Sequence, residues 1–384
     1  MNEFLLEAPQ QVLGQNVRIG KGTRILAESV ELGDGVQIGD GVEITCDRLV
    51  LGAGSKIASH THLLAPEITL GEGCSIGRNV EAELNEYLRL GKLSVIGSNC
   101  VIAGQGVSSG DYLWLKNGVI IGGGGCSGPN SYLHMGHGVT IIDKCYINLS
   151  EEVTIGDNVA LSYNVVILTH GAWQPVLYGF PAQFGPVRIG SGSVIYLNSV
   201  ILPGVTLGEH VTIGAQSLVN RDVPAHHLAA GTPAKVVKNM ESFTKPLPLP
   251  EIDRILTGVL SDYAGTLAPK EVELLELHAG GNPVLVKLKH GGTTRTIAYY
   301  KGAEAAAEPV AADITLSFRP LDDAEKGTAH FNLQSMEIEG ELDLVGEDLR
   351  DYIRRRAIRF LNGKPFKTIV IANVRRLRAR RAGA

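Results

Sequence analysis

The sequence is poor in several features that define large classes of protein. It contains no apolar run long enough to cross a bilayer, so a membrane span is not predicted. Its first residues, MNEFLLEAPQQ, lack a basic segment followed by an apolar core, which argues against a signal peptide and favours the cytoplasm. Its five cysteines form no CxxC pair, so neither a disulfide framework nor a zinc ribbon is indicated. The formal net charge of −5 gives no general case for nucleic-acid binding.

Glycine, in contrast, is abundant, with 47 residues concentrated in the first two thirds of the chain. There an aliphatic residue followed by glycine returns every six residues, as in IGKGTR from Ile19, LGDGVQ from Leu32 and IGDNVA from Ile155. This period predicts a parallel β-helix over residues 1–240, with three hexads per coil, inward-stacked aliphatic residues and glycine, aspartate or asparagine at the corners. The stretch GGGG at 122–125 lacks the GK[ST] of a phosphate loop and predicts a tight corner.

The six-residue period breaks in a way that suggests chemistry. It stops after His170 and resumes at Ile189. The intervening loop carries Trp173, Tyr178 and Phe180, which are suited to packing against a substrate or a neighbouring subunit. A β-helix has no cleft of its own, so catalysis on it requires a residue outside the coil and a loop that excludes water. We therefore expect a site at the histidine, with the three aromatic residues contacting the substrate.

Residues 155–238 carry a more specific pattern: IGDNVALSYNVVILTH, the loop, then PGVTLG, IGAQS and NRDVPAHHLAAGTPAKV in that order. This stretch resembles the hexapeptide-repeat, left-handed β-helix acyltransferases, and within them the galactoside and maltose O-acetyltransferases. The resemblance implies a mainly β, left-handed parallel β-helix that uses acetyl-CoA as acyl donor, needs no metal and forms a homotrimer with sites between subunits. It also implies that His170 is a general base, which takes a proton from a hydroxyl or amine of a sugar-like acceptor as that group attacks the thioester.

A general base needs a group that orients it. Three hexads back from His170, one coil below, the sequence has Ser150 and the adjoining Glu151 and Glu152. We predict that one of these two carboxylates accepts the Nδ1 proton of the histidine. Two alternatives remain open: a backbone carbonyl accepts this proton, or the paired acidic residues are simply solvated in a turn.

The resemblance also implies an oxyanion donor and a coenzyme A site. Where the family has a serine, this chain has Leu197, which keeps the backbone amide for the oxyanion but lacks the hydroxyl. Basic residues are expected on the nucleotide phosphates. The coenzyme A contacts implied for this chain are Asn198, Ser199, Gly204, Ala215, Gln216, Asn220, Arg221, Lys235 and Lys238.

Two further histidines, His134 and His137, leave other functions open. With His170 they make three histidines, and zinc enzymes of the γ carbonic-anhydrase class share the β-helix fold. The expected position of His137 at a different corner from His170 opposes this alternative. We expect His134 and His137 to line the acceptor pocket instead. A non-catalytic binding scaffold is the third alternative, but such a chain would lack the histidine and the cofactor ending that are present here.

After Met240 the period ends and a second domain is predicted. The proline-rich segment 241–254 is interpreted as a linker, and the strand-like and helix-like runs over 255–384 predict a small α+β domain. Its end is rich in arginine, from Arg354 to Arg381. These residues are either a solvated helix face or a surface for an anionic carrier or a nucleotide-linked acceptor.

Overall fold

The computed structural model describes residues 4–242, 244–304 and 309–382. The chain divides into two compact units, Met1–Lys245 and Pro246–Ala384. The first unit confirms the predicted parallel β-helix. Its short strands stack coil upon coil and form three faces. We number these faces in the order in which the chain passes through them in each of the later coils. Among the described residues, no helix combines the length and hydropathy that a membrane span needs.

The strands of the β-helix are short. The first face consists of Arg18–Ile19, Gln37–Ile38, Lys56–Ile57, Ser75–Ile76, Val95–Ile96, Trp114–Leu115, Thr140–Ile141, Ala160–Leu161, Val194–Ile195, Thr212–Ile213, His227–Gly231 and the antiparallel Ala234–Asn239. The second face consists of Leu5–Glu7, Arg24–Leu26, Glu43–Thr45, His62–Leu64, Ile120–Gly122, Tyr146–Asn148, Val166–Ile167, Val200–Ile201 and Leu218–Val219. The third face consists of Gln10–Leu13, Ser29–Leu32, Arg48–Leu51, Glu67–Leu70, Tyr132–Met135, Val153–Ile155, Val187–Ile189 and Thr206–Leu207. Two longer strands, Glu81–Leu90 and Val101–Ser109, continue from the second face into the third.

In-phase aliphatic residues form the core of this unit. Leu161 pairs with Ile141 on one side and with Ile195 on the other, and all three are fully buried. At the corners, Asn164 and Asn198 have φ angles of 56° and 58°, in the left-handed region that asparagine tolerates. Asn164 Nδ2 also donates to Asn198 Oδ1 at 3.0 Å, so corner side chains form ladders of their own. The six-residue period in the sequence therefore reflects the same core packing and corner conformation, repeated in each coil.

Buried polar side chains in the β-helix bond to the backbone of neighbouring coils. Ser193 Oγ donates to the Gly208 carbonyl and accepts from the Val211 amide, each at 3.0 Å. Cys145 Sγ lies 3.0 Å from the Ser162 carbonyl, and burial raises the pKa of this thiol to about 11. Such a thiol stays protonated at neutral pH, so it fills space and donates a weak hydrogen bond rather than acting as a nucleophile.

The second unit is an α+β fold. Its sheet contains Glu273–His278, Val284–His290, Thr293–Tyr300, Ile314–Ser317, Ala329–Asn332 and Glu337–Gly340, which pair in sequence order. Its helices are α1 (Leu249–Gly265), α2 (Leu344–Arg354) and α3 (Ala372–Ala382). Short 3₁₀ turns occur at Ala268–Lys270 in this unit and at Val176–Tyr178 in the β-helix.

Helix α1 begins at Leu249, inside the segment 241–254 that the sequence suggested to be a linker. Pro248 is its N-cap residue and a second proline lies in its first turn. Proline has no backbone N–H, but the first residues of a helix have no intrahelical acceptor for that N–H. Proline therefore suits the start of a helix as well as a linker. Proline density alone did not distinguish the two.

Many arginines at the end of the chain form ion pairs within the second unit. Arg354 and Arg355 contact Asp351, and Arg356 contacts Asp262. Arg375 and Arg376 contact Glu271 in the same way. The basic character of this end is therefore partly neutralised by neighbouring carboxylates. An anionic partner for it remains a prediction.

Candidate active site

The corners of the β-helix carry the residues of interest. The first corner joins the first face to the second and contains Leu197, which follows the strand Val194–Ile195. The second corner joins the second face to the third and contains His170, which follows Val166–Ile167. The third corner joins the third face to the first and contains His137. The predicted site residues thus lie at different corners of one chain.

At the second corner, His170 is held by two side chains from the preceding coil. Its Nδ1 lies 2.7 Å from Asn148 Oδ1 and 2.9 Å from Ser150 Oγ. Ile147 pairs with Ile167 in the sheet, so Ser150 lies one coil below His170, where the hexad count predicted it. Asn148 is fully buried and ends the strand of the lower coil.

The hydrogen bonds of Asn148 define the tautomer of the histidine. Asn148 Nδ2 donates to the carbonyls of Gly122 at 3.1 Å and Gly124 at 2.9 Å, which fixes the orientation of the amide. Its Oδ1 is therefore an acceptor, and Thr169 Oγ1 donates to it at 2.7 Å. His170 Nδ1 must then carry the proton in the neutral ring, which leaves the lone pair on Nε2. A histidine in this state is ready to act as a base through Nε2.

Neither predicted carboxylate bonds to His170, and this corrects our expectation for Glu151 and Glu152. Glu151 Oε2 accepts from Asn130 Nδ2 at 2.9 Å, and Glu152 Oε1 accepts from Thr154 Oγ1 at 3.0 Å. The chain turns at this corner, so the two side chains that follow Ser150 lie toward the third face. A neutral amide and a hydroxyl orient the histidine instead. The sequence signal for the amide was an asparagine directly after a core isoleucine, in YINLS.

The loop after His170 covers one face of its ring. Phe184 pairs with His170 across the base of the loop, and the two rings stack with centroids 5.9 Å apart and planes at 20°. The predicted acceptor contacts project away from the chain: Trp173 is 93% exposed, Tyr178 81% and Phe180 41%. Within one chain, these three side chains are therefore available to another molecule. Phe184, in contrast, belongs to the histidine's immediate surroundings.

A second loop, residues 123–130, lies against the histidine network. It contains three of the four glycines that suggested a tight corner, and Gly123 and Gly125 adopt φ angles of 83° and 82°. The Gly124 carbonyl accepts from Asn148 Nδ2 at 2.9 Å and from Ser150 Oγ at 2.8 Å. The glycine run therefore forms part of the site, which its interpretation as a simple corner missed.

The predicted oxyanion residue has a suitable backbone, but one neighbour does not fit its predicted role. Leu197 is 41% exposed, and its amide makes no hydrogen bond within the described part of the chain. Ser199 is fully buried, and its hydroxyl donates to the Gly214 carbonyl at 2.9 Å and accepts from the Ser217 amide. Its prediction as a coenzyme A contact is wrong for the side chain, because the hydroxyl is used between coils. Asn198 Oδ1 is bonded within its corner ladder.

The other predicted coenzyme A residues form separate groups. Ala215 and Gln216 lie exposed at the first corner, Gly204, Asn220 and Arg221 lie around the second corner, and Lys235 and Lys238 lie exposed on Ala234–Asn239. The Gly204 amide donates to the Gly185 carbonyl at 3.2 Å, which joins its corner to the histidine loop. The groups lie at two corners and on the last strand of the first face rather than in one cleft.

His134 and His137 do not share the corner of the candidate base. His134 lies on the third face, where Ser108 Oγ is 2.9 Å from its Nδ1 and Tyr132 stacks on its ring at 5.9 Å. His137 Nδ1 accepts from the Asp111 amide at 3.0 Å at the third corner. Across residues 4–242, 244–304 and 309–382, no group of three or more His, Cys, Asp or Glu side chains is arranged to hold a metal ion.

Two family models match the β-helix. "Bacterial transferase hexapeptide (six repeats)" matches residues 186–221, and "Hexapeptide repeat of succinyl-transferase" matches residues 12–46. Together with the stacked coils, these matches define a hexapeptide-repeat protein. The chain carries hexapeptide repeats of this kind, and part of it is similar to sugar O-acetyltransferases.

The chain is similar to named acetyltransferases over part of their length. The galactoside O-acetyltransferase of Escherichia coli (strain K12) is 33% identical over 132 residues, which cover 30% of this chain and 62% of that protein. A maltose O-acetyltransferase structure from Clostridium difficile 630 is 33% identical, covering 28% of this chain and 59% of its own, with a TM-score of 0.27. A Vibrio cholerae hexapeptide-repeat acetyltransferase, solved with acetyl coenzyme A, is 27% identical over 28% of this chain and 60% of its own, with a TM-score of 0.27. The chain thus spans about three fifths of these relatives.

Proposed function

We propose that this protein transfers an acetyl group from acetyl-CoA to a hydroxyl or amine of a sugar-like acceptor, with His170 as general base. The observation that carries the proposal is the bond from His170 Nδ1 to Asn148 Oδ1, since it leaves the Nε2 lone pair available. The similarity to a galactoside O-acetyltransferase supports both the reaction and the acceptor class.

In the proposed reaction the acceptor oxygen or nitrogen attacks the carbonyl carbon of the thioester while His170 Nε2 takes its proton. The tetrahedral oxyanion accepts a hydrogen bond from the Leu197 amide. The carbon–sulfur bond then breaks, the imidazolium returns its proton to the thiolate, and the products are the acetylated acceptor and free coenzyme A. The imidazolium is stabilised because its Nδ1 proton already points at Asn148 and Ser150.

This mechanism requires a second copy of the chain. Leu197 occupies the same corner as Tyr163 of the preceding coil, since the Asn198 amide donates to the Tyr163 carbonyl. His170 lies one whole face farther along the coil, and a hexad of extended chain spans about 20 Å. A base and an oxyanion donor so far apart cannot serve one thioester within a single chain. We therefore propose a homotrimer in which the second corner of one subunit meets the first corner of the next.

The loop offers a surface for this assembly. Trp173 and Leu177 are each 93% exposed, although both are large apolar side chains. Burying such side chains would contribute roughly 1.5–3 kcal/mol each. A neighbouring subunit that covers them would also close the space between the two corners against water.

Coenzyme A would lie along the edge between two subunits. Arg221 at the second corner and Lys235 and Lys238 on the last strand are exposed cations that suit its phosphates. Ala215 offers backbone groups and Gln216 an exposed side chain at the first corner, because the Gln216 amide donates to the Leu197 carbonyl and its own carbonyl accepts from Thr232 Oγ1. Ser199 is left out of this proposed set, because its hydroxyl is buried.

The test is thiol release from acetyl-CoA by the wild type, His170→Ala and His62→Ala, against sugars, aminosugars and nucleotide-linked sugars. His62 is the matched control, since it is a half-exposed histidine paired with Glu43 on an N-terminal coil. Acceptor-dependent release should fall at least about a hundredfold in His170→Ala and stay unchanged in His62→Ala. Unchanged release by His170→Ala would contradict the assignment of the base, and absence of coenzyme A binding would favour the scaffold alternative.

A further inference from the structure

The loop 123–130 is built into the histidine network rather than resting loosely beside it. Its Gly124 carbonyl receives hydrogen bonds from Asn148 and Ser150, the two side chains that also hold the histidine. Gln105 Nε2 donates to the carbonyls of Ser127 and Gly128 at the far side of the loop. The loop is thus fixed at both ends relative to the imidazole.

Gly124 faces the edge of the imidazole that carries the lone pair. A Cβ placed on Gly124 would lie 3.5 Å from His170 Cε1 and 3.7 Å from His170 Nε2. The Phe184 ring already covers one face of the imidazole, and Nδ1 is bonded to the lower coil. The missing side chain of Gly124 therefore leaves open the space beside Nε2, where an acceptor hydroxyl must sit to lose its proton.

Different constraints explain glycine at the two neighbouring positions, 123 and 125. Gly123 and Gly125 adopt left-handed φ angles, and a Cβ on either would collide with Tyr146 Oη or Ser150 Oγ. Gly124 lies outside the left-handed region, and its Cβ would meet its neighbours at ordinary contact distances. Backbone geometry does not require glycine there. The absent side chain is best explained by what must fit against Nε2.

The surface next to this opening is acidic. Glu151 accepts from Asn130 at the end of the loop, which places one carboxylate beside it. Glu86 Oε1 accepts from Tyr132 Oη at 2.6 Å, and Leu133 pairs with Val153, so Glu152 lies next to Tyr132 on the following coil of the third face. We call Glu86, Glu151 and Glu152 the acidic rim.

The cations around the acidic rim leave most of its charge uncompensated. Arg89 is bonded through Nε and Nη2 to both carboxylate oxygens of Glu67, outside the rim. Arg188 pairs in register with Thr154 and is exposed on the third face. Arg89 also lies 4.2 Å over the Tyr87 ring, so two arginines, one of them already paired with Glu67, face the three carboxylates. The net negative charge of these described residues disfavours an anionic ligand and favours a cationic one, the more so at low ionic strength.

We infer that Gly124 and the acidic rim together select the acceptor, admitting a neutral sugar or an aminosugar to His170 Nε2 and disfavouring a phosphorylated one. This inference rests on the proposed function and names the acceptor class of the same site. Gly124 acts by leaving space, and Glu151 and Glu152 act by charge.

The first test compares Gly124→Ala with Gly171→Ala in full-length protein. Gly171 is the matched control, because it adjoins His170 but a Cβ on it would meet no atom within 4 Å. We expect the kcat/KM for the acceptor to fall at least about tenfold in Gly124→Ala, with the KM for acetyl-CoA and the melting temperature unchanged. The control should behave as wild type. An unchanged kcat/KM in Gly124→Ala would overturn the role of this glycine.

The second test measures charge selection with glucosamine, glucose and glucose 6-phosphate as probes. Wild type should prefer the first two, and a Glu151→Gln, Glu152→Gln double variant should raise the relative rate with the phosphate at low ionic strength. A wild type that prefers the phosphorylated sugar would overturn the role of the acidic rim while leaving the proposed acetyl transfer intact. If wild type transfers acetyl to no probe or other acceptor, the proposed function itself fails and this inference fails with it.

Discussion

The two units of the protein bury different kinds of polar side chain. Among the described residues of the β-helix, every buried polar side chain is uncharged and comes from serine, threonine or asparagine. The described part of the second unit buries charged side chains at Asp253, Lys270, Lys301, Glu325, Glu347, Asp348, Arg350 and Asp351. In a repeating coil each corner leaves a carbonyl or amide at the same place, so one short hydroxyl per coil satisfies it. An irregular α+β core has no such repetition and uses longer, charged groups.

Asp348 shows what this difference means for stability. It is 1% exposed and accepts from Lys270 Nζ at 2.7 and 2.9 Å, from Thr368 Oγ1 at 2.7 Å and from the Ile369 amide at 2.7 Å. Tyr263 also donates to it, and burial together with this carboxylate raises the pKa of the phenol well above its usual range. Asp348 of α2 thus connects this helix to α1 and to the segment after α2 that contains Thr368 and Ile369. No charged residue in the described β-helix has such a position.

The largest expected effect comes from Asp348→Ala. It leaves the Lys270 ammonium buried without its carboxylate, which costs about 3–5 kcal/mol. We expect the unfolding transition of the second unit to move to much lower temperature in calorimetry, while the β-helix transition stays in place. Ser193→Ala, which removes a buried hydroxyl from the β-helix, should cost only about 1 kcal/mol and move only the other transition. Equal shifts of both transitions in Asp348→Ala would show that the units do not unfold independently.

The next effect concerns Asn148, a buried amide of the β-helix that also orients the histidine of the candidate site. Asn148→Ala leaves Thr169 and the carbonyls of Gly122 and Gly124 without their partner, which costs roughly 1–3 kcal/mol. It also removes the acceptor for the His170 Nδ1 proton. We expect kcat to fall at least about tenfold, with the KM for acetyl-CoA unchanged.

A second variant separates this positioning role from a structural one. Asn148→Asp keeps an oxygen that can accept from His170 Nδ1 but loses the amide that donates to the Gly122 and Gly124 carbonyls, so kcat should recover relative to Asn148→Ala while the melting temperature stays low. Ser193→Ala provides the control, because it removes a buried hydroxyl of the same unit without touching His170. A kcat in Asn148→Asp as low as that of Asn148→Ala would mean that Asn148 supports only the fold.

Local repetition explains which features could be predicted from the sequence. Each hexad places an aliphatic residue at the same position of the coil, so the stack of Ile141, Leu161 and Ile195 can be predicted from the period alone. His170 followed from the break in that period. The roles of Asn148 and Ser199 could not be predicted in this way. Each polar side chain lies close to a core residue, and the neighbouring coil decides whether it points inward.

The second unit and the glycine loop were harder to predict for a related reason. Their contacts follow no repeat, as between Lys270 and Asp348 in the second unit or between Gln105 and Gly128 in the glycine loop. No short pattern records such a contact. Proline before α1 was ambiguous for the opposite reason, since one local preference suits both a linker and a helix start.

The smallest expected effect is a difference in acid sensitivity between the units. Burial lowers the pKa of His330 below its ordinary value of 6.5, although Glu339 opposite it on the neighbouring strand raises the pKa and Lys326 lowers it. Below about pH 6.5 the unfolded chain therefore binds this proton before the folded one does, and stability is lost as the pH falls through the folded-state pKa. Between pH 7.5 and 5.5 the transition of the second unit should move down, less in His330→Gln than in wild type, because glutamine does not titrate. If wild type and His330→Gln lost stability equally over this range, another group would have to carry the acid sensitivity, and the contrast between an uncharged and a charged interior would not extend to this histidine.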